Sequence, residues 1–155
     1  AVIAGPKGKR KIAVEDVPAG VGRTVLKKGE IIEAIELPAK KAKSGDAYLR
    51  FIPRTEMDIA VVSCGVSLSL EGGKVAAARV ALGAVAARAL LVEAAAKAIV
   101  GSTLDEAALD RLAAAASAAA KPIDDKRGTK AFRIQVAGVL ARRAAATALK
   151  RAQGK

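Results

Sequence analysis

The clearest alternation of apolar and polar positions runs from Asp58 to Leu70. Alternate residues of this segment are apolar, and the later positions between them are Ser or Gly. A period of two places the two sets on opposite faces of a β-strand. The glycines of Glu-Gly-Gly-Lys at 71–74 suit a tight reversal, and apolar residues then return along 75–85. The pattern therefore predicts a β-hairpin over 58–85.

After about residue 86 the apolar spacing becomes that of helices. It predicts three of them, near 88–100, 104–119 and 129–151. Gly101 is a natural stop for the first helix, and Thr103 opens a Thr-x-x-Glu capping box for the second. Thr129 is positioned to cap the third.

The third helix shows two distinct faces in the sequence. Its apolar residues recur at the spacing of one buried face: Phe132, Val136, Val139 and Leu140. The other face carries the basic residues Arg133, Arg142, Arg143, Lys150 and Arg151. Strands followed by three helices predict an α+β fold, with a mainly antiparallel sheet and the three C-terminal helices packed on one face.

The first third of the chain predicts short extended segments at 11–14 and 31–38, separated by a turn-rich stretch at 18–22. Residues 40–46 combine charge with Ser, Gly and Asp and have no apolar anchor, so they are predicted to form a solvated loop. We expect a domain boundary there, with residues 1–46 as an N-terminal remnant and the main domain at 47–155.

Composition narrows the possible chemistry. The chain has 155 residues, 52% of them hydrophobic, and can bury one sizeable core. Its one cysteine, Cys64, lies within the apolar alternation and is predicted to be buried, and there is no histidine. A His-based triad or a Cys/His zinc site cannot be built from this chain alone, so we predict no catalytic and no metal-binding residue. Such cysteine usage is typical of a reducing compartment and favours the cytoplasm.

Two features concern the extent of the chain and membranes. It begins with Ala1 rather than Met, which suggests a fragment. The apolar stretch at 89–100 is interrupted by Glu93 and Lys97 and is shorter than the roughly 20 residues that a spanning helix needs. No membrane span is expected.

The net charge is +12 and is concentrated at the two ends of the chain. A basic chain can bind nucleic acid, but the only aromatic residues are Tyr48, Phe51 and Phe132, too few for a base-stacking platform. Basic surfaces that solubilise the protein or face an acidic partner subunit are favoured over nucleic-acid binding. A nucleic-acid-binding module and an assembly domain without its own chemistry are kept as alternatives.

Three blocks of sequence, in this order, are similar to a known family: Gly29-Glu-Ile-Ile32 with Ile35-Glu-Leu-Pro38, Arg54-Thr-Glu-Met-Asp58-Ile-Ala60 with Ala78-Arg-Val-Ala-Leu-Gly83, and Pro122-Ile-Asp-Asp125-Lys-Arg127-Gly128. Together they resemble the C-terminal region of the FAD-binding (medium) subunit of the molybdenum hydroxylase family, of the xanthine dehydrogenase and carbon monoxide dehydrogenase type. Asp125 and Arg127 are interpreted as a tie within a loop rather than as catalytic groups.

The resemblance implies a role in an oxidoreductase complex. A large subunit would hold the molybdenum cofactor, and a small subunit would hold two [2Fe–2S] clusters. The FAD of the complete medium subunit would take electrons from these clusters and pass them to an external acceptor. The phosphates of FAD would be bound by the N-terminal half of that subunit, and residues 1–46 would be a remnant of the FAD-binding domain.

Three residues are implied to flank the isoalloxazine ring of FAD. Ile32 would present an apolar side chain and Arg50 a basic one, and Tyr48 is a candidate to stack on the ring. Ordinary packing within a strand is an equally open interpretation for Tyr48.

Overall fold

The computed structural model describes residues 1–55 and 57–154, and it divides the chain into two compact units, Ala1–Lys40 and Lys41–Lys155. Each unit has its own sheet structure.

The first unit contains two small antiparallel sheets. The larger has the order β2-β1-β5, and its strands are β1 (Val2–Gly5), β2 (Gly8–Lys11) and β5 (Ile31–Ala34). The smaller pairs β3 (Pro18–Gly20) with β4 (Arg23–Thr24). A single 3₁₀ turn, Val14–Asp16, precedes β3.

Two predicted extended segments match the strands that form only in part. β2 ends at Lys11, and Val14 already begins the 3₁₀ turn, so the prediction for 11–14 was largely wrong. β5 covers only the first half of 31–38 because its partner β1 begins at Val2, which pairs with Ala34.

The second unit is a four-stranded antiparallel sheet covered by helices. Its strand order is β6-β7-β8-β9, with β6 at Ser44–Phe51, β7 at Val62–Glu71, β8 at Lys74–Gly83 and β9 at Leu90–Leu91. The helices are α1 (Glu93–Lys97), α2 (Glu106–Ala119) and α3 (Lys130–Ala152). α3 packs on β6 and β7, α1 packs on β8, and α2 packs on the other two helices. The predicted α+β class is confirmed.

The hairpin of β7 and β8 forms as the alternation predicts, with Cys64 opposite Leu82 and Val66 opposite Val80. These four side chains are buried beneath the helices. Burial raises the pKa of the Cys64 thiol to about 12, as expected for a core residue. β7 begins at Val62 rather than at Asp58.

The turn of the hairpin explains its glycine pair. Gly72 and Gly73 have φ angles of +56° and +78°. Two successive positive φ angles characterise the two-residue turn that matches the twist of a hairpin.

Two segments differ from their predicted structure. Residues 44–46 of the predicted loop form the start of β6. The predicted helix at 88–100 shrinks to α1, because Leu90 and Leu91 pair with β8 and the Val92 amide donates to the Val80 carbonyl at 2.8 Å.

The helix caps agree with the sequence at one site and not at the other. Thr129 caps α3, and its hydroxyl accepts from the Phe132 amide at 3.2 Å, as predicted. At α2 the cap is Asp105, whose carboxylate accepts from the Ala108 amide at 2.8 Å, so the capping box at Thr103 was wrong.

The buried face of α3 matches the prediction only in part, since Leu140 is buried and Val136 packs against the core. Phe132 and Val139 are 41% and 39% exposed, whereas Arg133, placed on the opposite face, is only 4% exposed. The buried stripe consists mainly of alanines: Ala137, Ala141, Ala144, Ala145 and Ala148. Small side chains let the helix lie close to the sheet. At Gly45 of β6, a β-carbon would lie 2.6 Å from the Ala152 nitrogen.

No helix within the described part of the chain is long and apolar enough to cross a membrane.

Candidate functional site

The sheet of the second unit has one face covered by helices and one that is not. On β6, Ala47 is buried and Leu49 half-buried beneath α3, while Tyr48 and Arg50 project to the other side. Tyr48 is 64% exposed, and Arg50 is exposed as well. Two of the three predicted flavin-flanking residues therefore share one strand and one face.

The side chains around Tyr48 and Arg50 are small. We call this side of the sheet the helix-free face, and the strand registers place three rows of residues on it around Tyr48 and Arg50: Asp46, Tyr48, Arg50, Ser63, Gly65, Ser67, Arg79, Ala81 and Gly83. Tyr48 lies opposite Gly65 and Arg50 opposite Ser63. Because most of these residues have little or no side chain, few neighbouring side-chain atoms cover the aromatic ring and the guanidinium.

Arg50 is free to bind a ligand. Its side chain makes no hydrogen bond or ion pair with any residue that the structure describes. An exposed cation beside an exposed aromatic ring is the donor set suited to a planar, electron-accepting ring such as isoalloxazine. The residues on β6 thus fit the group that the resemblance implies.

Ile32 lies in the first unit, at the centre of β5, opposite Ile3 of β1. Ile3 is fully buried, and Ile32 is 42% exposed. β5 is an edge strand of its sheet, so one side of the Ile32 backbone has no partner strand. The role of Ile32 beside a flavin ring stays a prediction.

A second cluster joins two of the sequence blocks and was not predicted. It is an aspartate–arginine clasp made of Asp58, Asp125, Arg127 and Arg133. Nε of Arg127 donates to Oδ1 of Asp58 at 3.0 Å, across a large separation in sequence. Arg133 donates to Asp125 and also to the Val61 carbonyl at 3.2 Å.

The electrostatics of the clasp follow from these contacts. The hydrogen bond from Arg127 lowers the pKa of Asp58, whose side chain is only 6% exposed. The pKa of Asp125 is lowered first by the backbone amide of Arg127, which donates at 2.8 Å, and then by Arg133. Asp125 and Arg127 do tie a loop, as expected, but the bond is made by the Arg127 backbone amide. The Arg127 side chain instead binds Asp58 in the loop before β7.

The clasp connects the loop before β7 with the loop before α3 and is not a metal centre. Both acidic groups are bound by arginine, which neutralises them. Within residues 1–55 and 57–154, no group of three or more His, Cys, Asp or Glu side chains could hold a metal ion.

Comparison with known proteins identifies the fold. Residues 47–148 match the family described as the CO dehydrogenase flavoprotein C-terminal domain. The chain belongs to this family. The predicted family resemblance is thereby confirmed.

Individual members of the family are similar over nearly the whole chain. The carbon monoxide dehydrogenase medium chain of Afipia carboxidovorans is 37% identical over 97% of this chain and 52% of its own length. A solved structure of CO dehydrogenase from Oligotropha carboxidovorans superposes with a TM-score of 0.91 at 36% identity, covering 97% of this chain and 52% of that chain. Quinoline 2-oxidoreductase from Pseudomonas putida 86 gives a TM-score of 0.82 at 32% identity, covering 99% and 52%.

The chain therefore spans about half the length of the CO dehydrogenase flavoproteins it matches. The family match begins at residue 47, within β6. The similarity to the medium chain of Afipia carboxidovorans covers 97% of this chain and so includes the first unit.

Proposed function

We propose that this chain is the C-terminal part of the FAD subunit of a molybdenum hydroxylase. The complete subunit would belong to an oxidoreductase in which FAD takes electrons from [2Fe–2S] clusters and passes them to an external acceptor. The proposal rests on the family match and on relatives described as medium chains of carbon monoxide dehydrogenase.

The proposal includes the division of the chain and its partners. Residues 1–46 would complete the FAD-binding domain, and residues 47–155 would form the flavoprotein C-terminal domain. The partners would be a large subunit with the molybdenum cofactor, a small subunit with [2Fe–2S] clusters, and the N-terminal half of the same subunit, in the cytoplasm. A basic nucleic-acid-binding module is not favoured, because nothing in the family match supports it.

One observation carries the flavin assignment. Tyr48 and Arg50 are exposed side by side on the helix-free face, where Arg50 has no partner among the described residues. When bound, FAD would supply the electron-accepting ring. Arg50 would stabilise the negative charge that the ring gains on reduction, and Tyr48 would stack on the ring. The role of Ile32, which lies in the first unit, stays a prediction from the sequence.

The test is the flavin reduction potential of the complete FAD subunit. Arg50→Ala should lower the two-electron potential by about 20–40 mV, the equivalent of about 1–2 kcal/mol of lost charge stabilisation. Arg50→Lys should retain much of the parent potential. Arg111→Ala is the matched control, because it removes an exposed arginine from α2, in the helix layer.

Equal potentials in the parent and in Arg50→Ala would show that Arg50 is an ordinary surface charge without influence on the flavin. A shift of the same size in Arg111→Ala would indicate a general effect of net charge rather than a contact with the ring.

A further inference from the structure

Gly65 is an unusual residue for its position. It lies in the middle of β7, an inner strand of the sheet, where glycine weakens a strand because it has high backbone entropy and no side chain to pack. Its φ angle is not positive, so the backbone conformation does not require glycine. A reason for glycine must lie in what surrounds it.

The one atom near the missing side chain belongs to Tyr48. A β-carbon at position 65 would lie 3.8 Å from Cδ2 of the Tyr48 ring, with no other described atom within 4 Å. Tyr48 is the direct cross-strand partner of Gly65 and still has 64% of its surface exposed. The ring therefore leans across β7 over the glycine, an arrangement in which an aromatic residue covers a cross-strand glycine.

We propose that Gly65 is a positioning residue for Tyr48. The absence of a side chain at Gly65 lets the Tyr48 ring lie against the sheet, so that the outer surface of the ring is open to a stacked flavin. This inference rests on the proposed function for its flavin part. Ala81, the partner of Gly65 on β8, is also small, so few side-chain atoms lie beside the ring. A side chain larger than a methyl group at position 65 would take the space that the ring occupies and would push Tyr48 outwards.

The position of the ring can be read directly in this chain. Tyr48 is its only tyrosine and there is no tryptophan, so ultraviolet-excited fluorescence reports on this one ring. In Gly65→Val, acrylamide should quench the fluorescence more strongly and the anisotropy should fall, because the ring loses its support. Gly65→Ala should behave like the parent, since a methyl group makes only an ordinary contact. Ser67→Val, on the same strand and face but opposite Asp46, is the matched control.

Parent-like quenching and anisotropy in Gly65→Val would overturn the positioning role, and so would an equal change in Ser67→Val. Thermal unfolding of each variant shows whether it is folded. If Gly65→Val does not fold, Gly65→Thr, which has a similar shape and a hydroxyl suited to an exposed face, takes its place with the same expected result.

The flavin part is tested in the complete FAD subunit. Both Gly65→Val and Tyr48→Ala should raise the Kd for FAD by about 3- to 10-fold, the loss expected for one aromatic contact. If Tyr48→Ala weakens binding and Gly65→Val does not, the positioning role is wrong. If neither changes the Kd while the quenching of Gly65→Val has risen, Gly65 positions the ring but the proposed contact between Tyr48 and flavin is wrong.

Discussion

Two arginines of α3 hold carboxylates in very different surroundings. The side chain of Arg133 is 4% exposed and binds Asp125 and the Val61 carbonyl, whereas that of Arg142 is 34% exposed and binds Glu106 and Asp110 on α2. Removing a buried partner leaves polar groups without hydrogen bonds in a place that water reaches poorly. Exposed ion pairs contribute little because water and salt screen them.

We therefore expect Arg133→Met to lower the free energy of unfolding by about 2–4 kcal/mol. Arg142→Met, the matched control on the same helix, should lower it by less than about 1 kcal/mol. Urea titration of the two variants and the parent measures both values. Equal losses would mean that the clasp is no more important to the fold than a surface ion pair.

The lowered pKa of Glu30, in the first unit, makes the free energy of unfolding depend on pH. Glu30 accepts two hydrogen bonds from Arg10, at 3.0 and 2.8 Å, and one from the Lys27 amide at 2.7 Å. The contacts with Arg10, and then the Lys27 amide, lower the pKa of Glu30 from 4.5 to about 2. The unfolded chain thus binds a proton more readily than the folded chain, so stability falls as the pH is lowered from 4.5 towards 2.

Glu30→Gln should reduce this loss of stability with acid, because glutamine does not titrate. It should not abolish it, since Asp58 and Asp125 also have lowered pKa values. Glu33→Gln, which removes an exposed pair with Lys9, is the control and should leave the pH dependence close to that of the parent. Denaturant titrations of all three proteins across this pH range make the comparison, and parallel curves for parent and Glu30→Gln would contradict the prediction.

At the scale of single residues, the sequence indicated which residues belong to the family blocks but not which residues they contact in the fold. The blocks containing Asp58 and Arg127 are recognisable one by one, yet nothing in local spacing links them, because their contact depends on the packing of α3 on β7. Tyr48 and Arg50 share one face of β6, because side chains two residues apart along a strand point the same way. Whether they contact flavin stays a prediction.

The start of α2 shows how a helix boundary can mislead a reading of sequence. Thr103 and Glu106 have the spacing of a capping box, but Leu104 has a φ angle of +61°, which turns the chain before the helix begins. Asp105 then takes the cap position and accepts from the Ala108 amide.

Asp105→Ala should therefore lower the free energy of unfolding by about 1 kcal/mol, the usual contribution of a capping side chain. Thr103→Ala should change it by a few tenths at most, because Thr103 is outside the helix. Chemical denaturation distinguishes the two. A larger loss in Thr103→Ala than in Asp105→Ala would restore the capping box.

The identity of the buried face of α3 depends on packing distance. The apolar spacing of Phe132, Val136, Val139 and Leu140 resembles a core stripe, but only Leu140 of these four is fully within the core. Most of the other buried positions of α3 are alanines, and the helix passes so close to β6 that a β-carbon at Gly45 would lie 2.6 Å from the Ala152 nitrogen. Phe132 instead packs edge-on against Phe51, with ring centroids 6.0 Å apart. In this alanine-rich chain, the row of small residues on α3 was a better indication of the buried face than the large apolar residues.

At the scale of the whole molecule, the order of elements was enough to predict the fold class. Strands that precede helices have few ways to bury one sheet face, and covering that face with the helices is the simplest. The hairpin fixed the alternation of both β7 and β8, which in turn determined which residues are on the helix-free face. Short elements such as β9 were missed, because two residues in an alanine-rich stretch carry no periodicity.

The distribution of binding groups along the chain leads to a prediction for the chain as a whole. It has three residues proposed to flank the flavin ring, but its sequence has no glycine-rich loop opening a helix, the usual cradle for a pyrophosphate. Ring contacts of about 1 kcal/mol each do not offset the entropy that a ligand loses on association.

This 155-residue chain should therefore bind FAD weakly, with a Kd above about 100 µM. It should bind riboflavin about equally, because the chain would not recognise the phosphates of FAD and riboflavin has the same ring without any phosphate. The complete subunit should instead bind FAD far more tightly than riboflavin. Titration of flavin fluorescence with each protein measures the four affinities. Tight, stoichiometric binding of FAD but not riboflavin by this chain would show that a phosphate site lies within it. The N-terminal half would then no longer be needed to explain the affinity for FAD.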